Sequence, residues 1–262
     1  MTGTPIFVYH DFVETAGAAA PRGHTYVLDQ ARFATHLDAL AAAGAQPTRL
    51  ADAVGAGAGG RFVLSFDDGH ISNYTVACTR LLERGWPGCF FIVASRIGQP
   101  QALGWDELRA MAAAGMEIGS HSLTHPFLQH ASDAEIRREF GESKRILEDG
   151  LGQAVTLASL PYGSATTRLR AVVAELGYQA FCTSAPGLVD ERTDPFALPR
   201  IAIKQRTPAR FLQQVVAGRT LTLATLRSSH AVKEIGKHVM GTERWRRMRR
   251  AMVQMVPREA GR

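Results

Sequence analysis

The sequence predicts an α/β fold built on a parallel sheet. Seven short apolar, β-branched or aromatic runs recur before residue 205, and stretches of helical period separate them. The runs are apolar at nearly every position, as befits strands buried on two faces. The acidic residues and histidines that stand together in sequence follow directly on such runs, which places them at strand ends.

The elements follow in order. Ile6–Tyr9 is the first strand-like run, and Phe33, Leu37, Leu40 and Ala41 then keep a helical stripe. Ala53 to Gly60 is rich in Gly and Ala and reads as a surface loop. Phe62–Phe66 and Cys89–Val93 are the next strands. Leu108, Met111 and Ala112 mark a helix before the fourth strand, Met116–Gly119. Ser132 followed by Glu135 predicts a capping box, with Ile136, Phe140, Ile146 and Leu147 on the helix below it. Val155–Ala158 is the fifth strand, followed by a helix from Thr166 that Gly177 closes. Gln179–Cys182 and Leu198–Ile203 complete the strands, and Pro208–Val216 is a last helix. Seven such units either close into a barrel or lie as an open doubly wound sheet, and composition does not choose between them.

The chain has 262 residues, enough for one large domain or two small ones, and its 45% hydrophobic content excludes a disordered chain. No run approaches the ~18–20 apolar residues that span a bilayer. The formal charge is +6, but residues 227–262 alone hold ten Lys+Arg against three Asp+Glu. Of the chain's 30 basic and 24 acidic residues, 20 and 21 remain for the rest, so the body is close to neutral. Cys78, Cys89 and Cys182 have no metal-binding spacing and read as small buried side chains in a reducing compartment.

The sharpest chemical feature is Ser65-Phe66-Asp67-Asp68-Gly69-His70 at the end of the second strand. Adjacent carboxylates repel, and one pKa rises unless a cation intervenes. A metal held by one of them leaves the other ionised and able to act as a base. After the fourth strand comes His121-Ser122-Leu123-Thr124-His125, two histidines four apart on a loop. With Asp68 they make a set of two imidazoles and one carboxylate, which leaves positions open for water and substrate. Three weaker features are Val8-Tyr9-His10, Leu160-Pro161-Tyr162-Gly163 and Leu198-Pro199-Arg200-Ile201, each at a strand end or entry.

Ser65-Phe66-Asp67-Asp68-Gly69 together with His121-Ser122-Leu123-Thr124-His125 resembles the first two motifs of the polysaccharide deacetylases, carbohydrate esterase family 4 with the NodB-homology fold. Trp105-Asp106-Glu107-Leu108 and Pro161-Tyr162-Gly163 fit its spacing too, and the resemblance spans residues 5–205. It implies an irregular (β/α)7 barrel and metal-assisted removal of an N-acetyl or related acyl group from an amino sugar. It also implies that Asp67 is the general base, that Asp68, His121 and His125 hold the metal, and that the Tyr162 N–H helps hold the oxyanion. The expected ion is Zn2+, with Ni2+, Co2+ or Mn2+ as substitutes.

The chain departs from the family's commonest pattern in three places. Ala158-Ser159-Leu160 stands where an arginine usually precedes Pro-Tyr, no Asp-x-x-Asp-Trp occurs near residue 190, and no Leu-x-His follows. A branch acting on biofilm poly-N-acetylglucosamine has an early Tyr-His and a late Leu-Pro-Arg-Ile, and Tyr9-His10 with Leu198–Ile201 resembles it. His10 is then the expected general acid, and Arg200 the residue that steadies the carboxylates. A closed barrel makes its first and last strands neighbours, which lets His10 reach the site. His70, Trp105 and Tyr74 are candidate substrate-binding residues, Trp105 as a ring for stacking on a sugar.

The expected substrate is a carbohydrate: a polysaccharide, an oligosaccharide or a lipid- or nucleotide-linked precursor. A metal-dependent amidase for a small non-sugar amide, and a glycan-binding barrel that has lost catalysis, are the competing readings. The expected division is a barrel over 1–218 and a basic helical extension over 219–262. In that extension Trp245, Met248, Met252 and Met255 recur at helical spacing among arginines. Such a helix either packs on the barrel with its basic face in water or docks peripherally on a membrane. No nucleic-acid motif is present, so nucleic acid is not an expected partner. Met1–His10 has neither a basic nor a long apolar region, so the expected location is cytoplasmic, at the inner membrane surface if the extension docks.

Overall fold

The computed structural model describes residues 3–13, 25–55, 60–163 and 165–219. Seven parallel strands form its centre: β1 (Ile6–Tyr9), β2 (Arg61–Phe66), β3 (Cys89–Ile92), β4 (Glu117–Ser120), β5 (Leu157–Ser159), β6 (Ala180–Cys182) and β7 (Ile201–Ala202). From β1 to β6 each strand pairs with the next in sequence, with registers such as Ile6↔Val63, Ser65↔Cys89, Cys89↔Glu117 and Ser120↔Ala158. β7 pairs back onto β1 through Phe7↔Ile201 and Val8↔Ala202. Three residues before β7, Leu198 bridges in parallel to Cys182 of β6. The Leu198 N–H donates to Phe181 O and its carbonyl accepts from the Thr183 N–H, at 3.0 and 2.8 Å. One short segment therefore stitches the last strand to the first. That settles the choice the sequence left open, because an open sheet has no such stitch.

Side chains alternate across this sheet with period two. Phe7, Tyr9, Leu64, Phe66, Phe90, Ile92, Ile118, Phe181 and Ile201 join the outer core beneath the helices. Ile6, Val63, Cys89, Phe91, Leu157, Ala180, Cys182 and Leu198 form a second core inside the curled sheet. Gly119 has the inward parity for a steric reason. A Cβ there would lie 2.6 Å from the Phe91 ring and 2.9 Å from Leu157 O, so only hydrogen fits.

The outer layer is carried by α1 (Gln30–Ala42), α2 (Trp105–Ala113), α3 (Asp133–Leu151), α4 (Thr167–Glu175) and α5 (Ala209–Val216). Ser132 caps α3 with the reciprocal bonds of a capping box: its Oγ accepts from the Glu135 N–H and its own N–H donates to Glu135 Oε2. Gly177, at φ +79, follows α4. α5 packs on α1, where Gln213 Nε2 donates to Ala39 O at 3.2 Å. Cys78, Cys89 and Cys182 are free thiols, all buried.

Some elements leave no periodic trace in the sequence. Phe12–Val13 pairs with Leu28–Asp29, Gln46–Pro47 pairs with β2, Leu50–Ala53 is one helical turn, and Asn73–Cys78 is a π-helical segment running into the helix Thr79–Leu82. Two-residue strands are too short to show a period. No helix among the described residues is long and apolar enough to cross a membrane. The predicted extension, including Trp245, Met248, Met252 and Met255, lies outside the described residues from 220 onward, as does the middle of the Gly/Ala-rich loop.

Candidate functional site

Because the strands are parallel, all their C-terminal ends meet at one mouth, and the period-two alternation continues past them. Inward parity runs from Val63 and Ser65 to Asp67, from Gly119 to His121, from Leu157 to Ser159 and from Leu198 to Arg200. Each last member is buried: Asp67 is 3% exposed, His121 2%, Ser159 0% and Arg200 2%. A polar layer thus sits on the apolar interior.

Its centre is an ion pair. Arg200 Nη1 and Nη2 donate to Asp67 Oδ1 and Oδ2, each at 2.7 Å, in the bidentate geometry that suits a planar guanidinium. Nη2 also donates to Ser159 Oγ at 2.7 Å and Nε to Thr183 O at 3.0 Å. The guanidinium lies 5.5 Å from the centre of the Phe91 ring. Burial pushes the Asp67 pKa up, but the Arg200 guanidinium outweighs it and holds the carboxyl below the usual range. Asp67 is therefore a dry carboxylate kept ionised.

Asp68 turns the other way. Its φ of +76 is left-handed, a strained value for a residue with a Cβ. The turn brings Oδ1 to 3.2 Å from His125 Nε2 and 3.6 Å from His121 Nε2. Burial opposes ionisation here too, yet the facing His125 ring holds this carboxyl far below the usual range. His121 Nδ1 faces Ser159 O at 2.9 Å, and a carbonyl can only accept. Nδ1 thus carries the proton and Nε2 presents its lone pair towards Asp68. Burial also pushes the His121 pKa down, which keeps the imidazole neutral.

His125 comes from a loop in which Ser122 and His125 are themselves left-handed, at φ +66 and +63, with the His125 N–H donating to Ser122 Oγ at 3.0 Å. Ligand atoms of Asp68, His121 and His125 all lie within 4.8 Å of one another. Two imidazoles and a carboxylate, with one imidazole's outer nitrogen fixed by a carbonyl, are the donor set of a divalent cation such as Zn2+.

The rim is aromatic. Tyr162, also left-handed at φ +60, is half-exposed, and its ring meets that of His125 edge-on at 4.9 Å and lies 5.9 Å from Phe127. His10 carries the inward parity beyond Ile6 and Val8. Its ring stacks on Tyr26 at 4.7 Å, its carbonyl accepts from Asn73 Nδ2, and its Nδ1 is buried without a hydrogen-bond partner.

The candidate substrate residues are engaged elsewhere. The His70 ring is held in its own turn, with Nδ1 accepting from the Ser72 N–H and lying 2.7 Å from Ser72 Oγ. Tyr74 packs against the outer core from the π-helical segment. Trp105, for which sequence leaves both sugar stacking and packing within the fold open, lies on α3 against Gly150, where a Cβ would sit 2.1 Å from the ring, and Arg109 covers it at 5.8 Å. Its surface is used in helix packing because Gly150 leaves a gap of its shape. Sequence reasoning passed over Ser159, Tyr26, Glu139 and Ser143. Ser159 alone had a signal, in the inward parity of its strand.

A cavity of about 320 Å³ at the opposite end is lined by Arg49, Met116, Glu117, Gln153 and Thr156. Glu117 is buried there and its pKa is raised by burial, yet its carboxylate accepts from the Leu50 and Ala51 N–H groups and faces Arg49. That is a helix cap at the bottom of the fold, and the titratable cluster is at the top.

A family model described as polysaccharide deacetylase matches residues 55–181. The chitooligosaccharide deacetylase of Bradyrhizobium sp. (strain ANU 289) is 30% identical over 119 residues, which cover 45% of this chain and 52% of that protein. The chain spans about half the length, or less, of the curated relatives it matches. Among solved structures, Streptococcus pyogenes deacetylase PplD superposes with a TM-score of 0.74 at 22% identity, covering 82% of this chain and 98% of that one. IcaB from Ammonifex degensii gives 0.71 at 22% identity, with 83% and 97% covered. These two likenesses establish a shared fold.

Proposed function

We propose, from the match of residues 55–181 to the polysaccharide deacetylase family model, that the chain is a divalent-metal-dependent hydrolase removing an N-acetyl or related acyl group from an amino sugar. The observation that carries this reading is the meeting, at one barrel mouth, of the Arg200–Asp67 pair with Asp68, His121 and His125. The similarity to a chitooligosaccharide deacetylase supports an oligomeric or polymeric amino sugar as substrate.

Asp68, His121 and His125 would hold the ion. Bound there, a divalent cation supplies a Lewis acid for the acyl oxygen and lowers the pKa of water. Asp67, ionised beside Arg200, takes a proton from the attacking water. Arg200 does not react; its bidentate grip fixes the carboxylate's plane and charge. The Tyr162 N–H is assigned to the oxyanion of the tetrahedral intermediate, a contact worth ~3 kcal/mol in comparable sites. His10 is assigned to the leaving amine, which needs a proton as the C–N bond breaks. The stack on Tyr26 fixes that ring's plane.

The early His10 and late Arg200 support placing the chain in the branch with Tyr-His and Leu-Pro-Arg-Ile. Arg200 bonds Ser159 Oγ, at the very stretch where the third motif lacks its arginine. A guanidinium thus comes from a neighbouring part of the barrel.

The test is acetate release from N-acetylglucosamine oligomers. Activity should vanish on chelation and return with about one equivalent of Zn2+. Release unaffected by chelation would overturn the metal role, and no release from any acylated amino sugar would leave the amidase or binding readings. His10→Ala is expected to lower kcat by about 10²-fold or more while leaving Zn2+ uptake intact. Unchanged kcat would remove His10 from the proton path.

A further inference from the structure

We propose that Glu139, assisted by Ser143, is a positioning residue that holds the His121–His125 loop in its metal-binding shape. The inference rests on the metal reading above. Both side chains come from α3, outside the barrel, and neither touches the reacting groups.

The buried face of α3 is apolar at Ile136, Phe140 and Leu147, yet Glu139 is 1% exposed and Ser143 fully buried. A carboxylate in such a place is costly unless it is fully engaged. Glu139 is. Its Oε2 accepts from the Thr124 N–H at 2.8 Å and its Oε1 from Thr124 Oγ1 at 2.9 Å, with Arg138 Nη2 3.2 Å away on the exposed side. One helical turn later, Ser143 Oγ lies 2.7 Å from Ser120 Oγ, which also accepts from the Ser122 N–H at 3.2 Å. The helix therefore grips Thr124, next to His125, and Ser120, next to His121.

The loop needs such a grip. Ser122 and His125 occupy left-handed backbone, which is strained for residues with a Cβ and persists only where the surroundings impose it. The Ser122–His125 hydrogen bond and those from the Ala94 and Ser95 N–H groups to Ser122 O and Leu123 O cannot by themselves set Thr124 against the barrel. Charge-assisted bonds from a rigid helix can. Without them His125 loses its fixed approach to Asp68, and the ion loses a preorganised ligand.

The measurement is Zn2+ titration of the metal-free full chain by calorimetry, with thermal unfolding of each metal-free variant alongside. Glu139→Ala is expected to weaken Zn2+ binding ~10–100-fold. Glu139→Gln, which still accepts from the Thr124 N–H, should recover most of that loss, and Thr124→Val should fall between. Lys144→Met is the control, because it loses the bonds from the same helix to Glu148 Oε1 and Val155 O and should lower stability without changing affinity. Equal affinity in Glu139→Ala and wild type overturns the proposal, as does an equal loss in Lys144→Met. If Glu139→Ala does not fold, unchanged affinity in Thr124→Val overturns it in the same way. A wild type that takes up no ion overturns the metal reading itself and the anchor with it.

Discussion

Asp67→Asn is expected to cut kcat for acyl release by about 10²–10⁴-fold, the contribution of a positioned general base, while Zn2+ still binds one to one. Asparagine keeps the volume and one acceptor but has no basic oxygen for the water proton. The ligand atoms of Asp68, His121 and His125 do not include it. The substitution also leaves the buried Arg200 without its counter-charge, so some stability is lost, and rates should be normalised to folded protein. Retained turnover with bound metal would show that another group takes the proton. Loss of the metal would instead place Asp67 among the ligands, which its bidentate engagement with Arg200 opposes.

Arg200→Met addresses the other half of the pair. Methionine fills much of the same space but leaves Asp67 buried and uncompensated, and breaking one side of a buried ion pair costs about 3–5 kcal/mol. Three bonds besides those to Asp67 go with it, to Ser159, Thr183 and Ser65. The pH dependence has a definite sign. In the wild type the folded pKa of Asp67 lies below its unfolded value of about 4, so its contribution is present above that pH and is lost as pH falls through the folded pKa. In the variant burial acts unopposed by Arg200 and the folded pKa moves up. Its contribution is then full below pH ~4 and is lost as pH rises through the new folded value.

The stability gap between the two metal-free proteins should therefore widen from acid to neutral pH. Urea unfolding between pH 3 and 8 measures it, and a constant gap would mean that Arg200 acts by packing alone. In the assay the acid limb of the pH–rate profile should move to higher pH in Arg200→Met, because Asp67 takes up its proton at higher pH without the guanidinium. An unmoved limb would separate Arg200 from the ionisation of Asp67.

Much of the fold is legible locally. The runs at 6–9, 62–66 and 89–93 are strands to within a residue at each end, since continuous β-branched and aromatic runs have few other uses in a parallel sheet. The Ser132 capping box is present because its two partners are three residues apart, a relation that sequence alone expresses. Asp68, His121 and His125 are similarly readable, as chemistry-bearing residues at strand ends. Trp105 shows the limit: an aromatic at a helix start offers the same sequence signal whether it meets a sugar or a glycine on the next helix, and Gly150 lies 45 positions away.

Sequence alone determined which residues carry charge and where strands end, because hydrophobic period and adjacent polar motifs are short-range properties. Tertiary structure decided which carboxylate is gripped by an arginine and which lies between the two histidines. Asp67 and Asp68 are neighbours with the same chemistry. Only inward parity, a left-handed turn at Asp68, and an arginine delivered from 133 positions away across the closed ring give them different surroundings. Electrostatic environment is a property of space rather than of order along a chain, and so the division of labour between the two is written in the barrel.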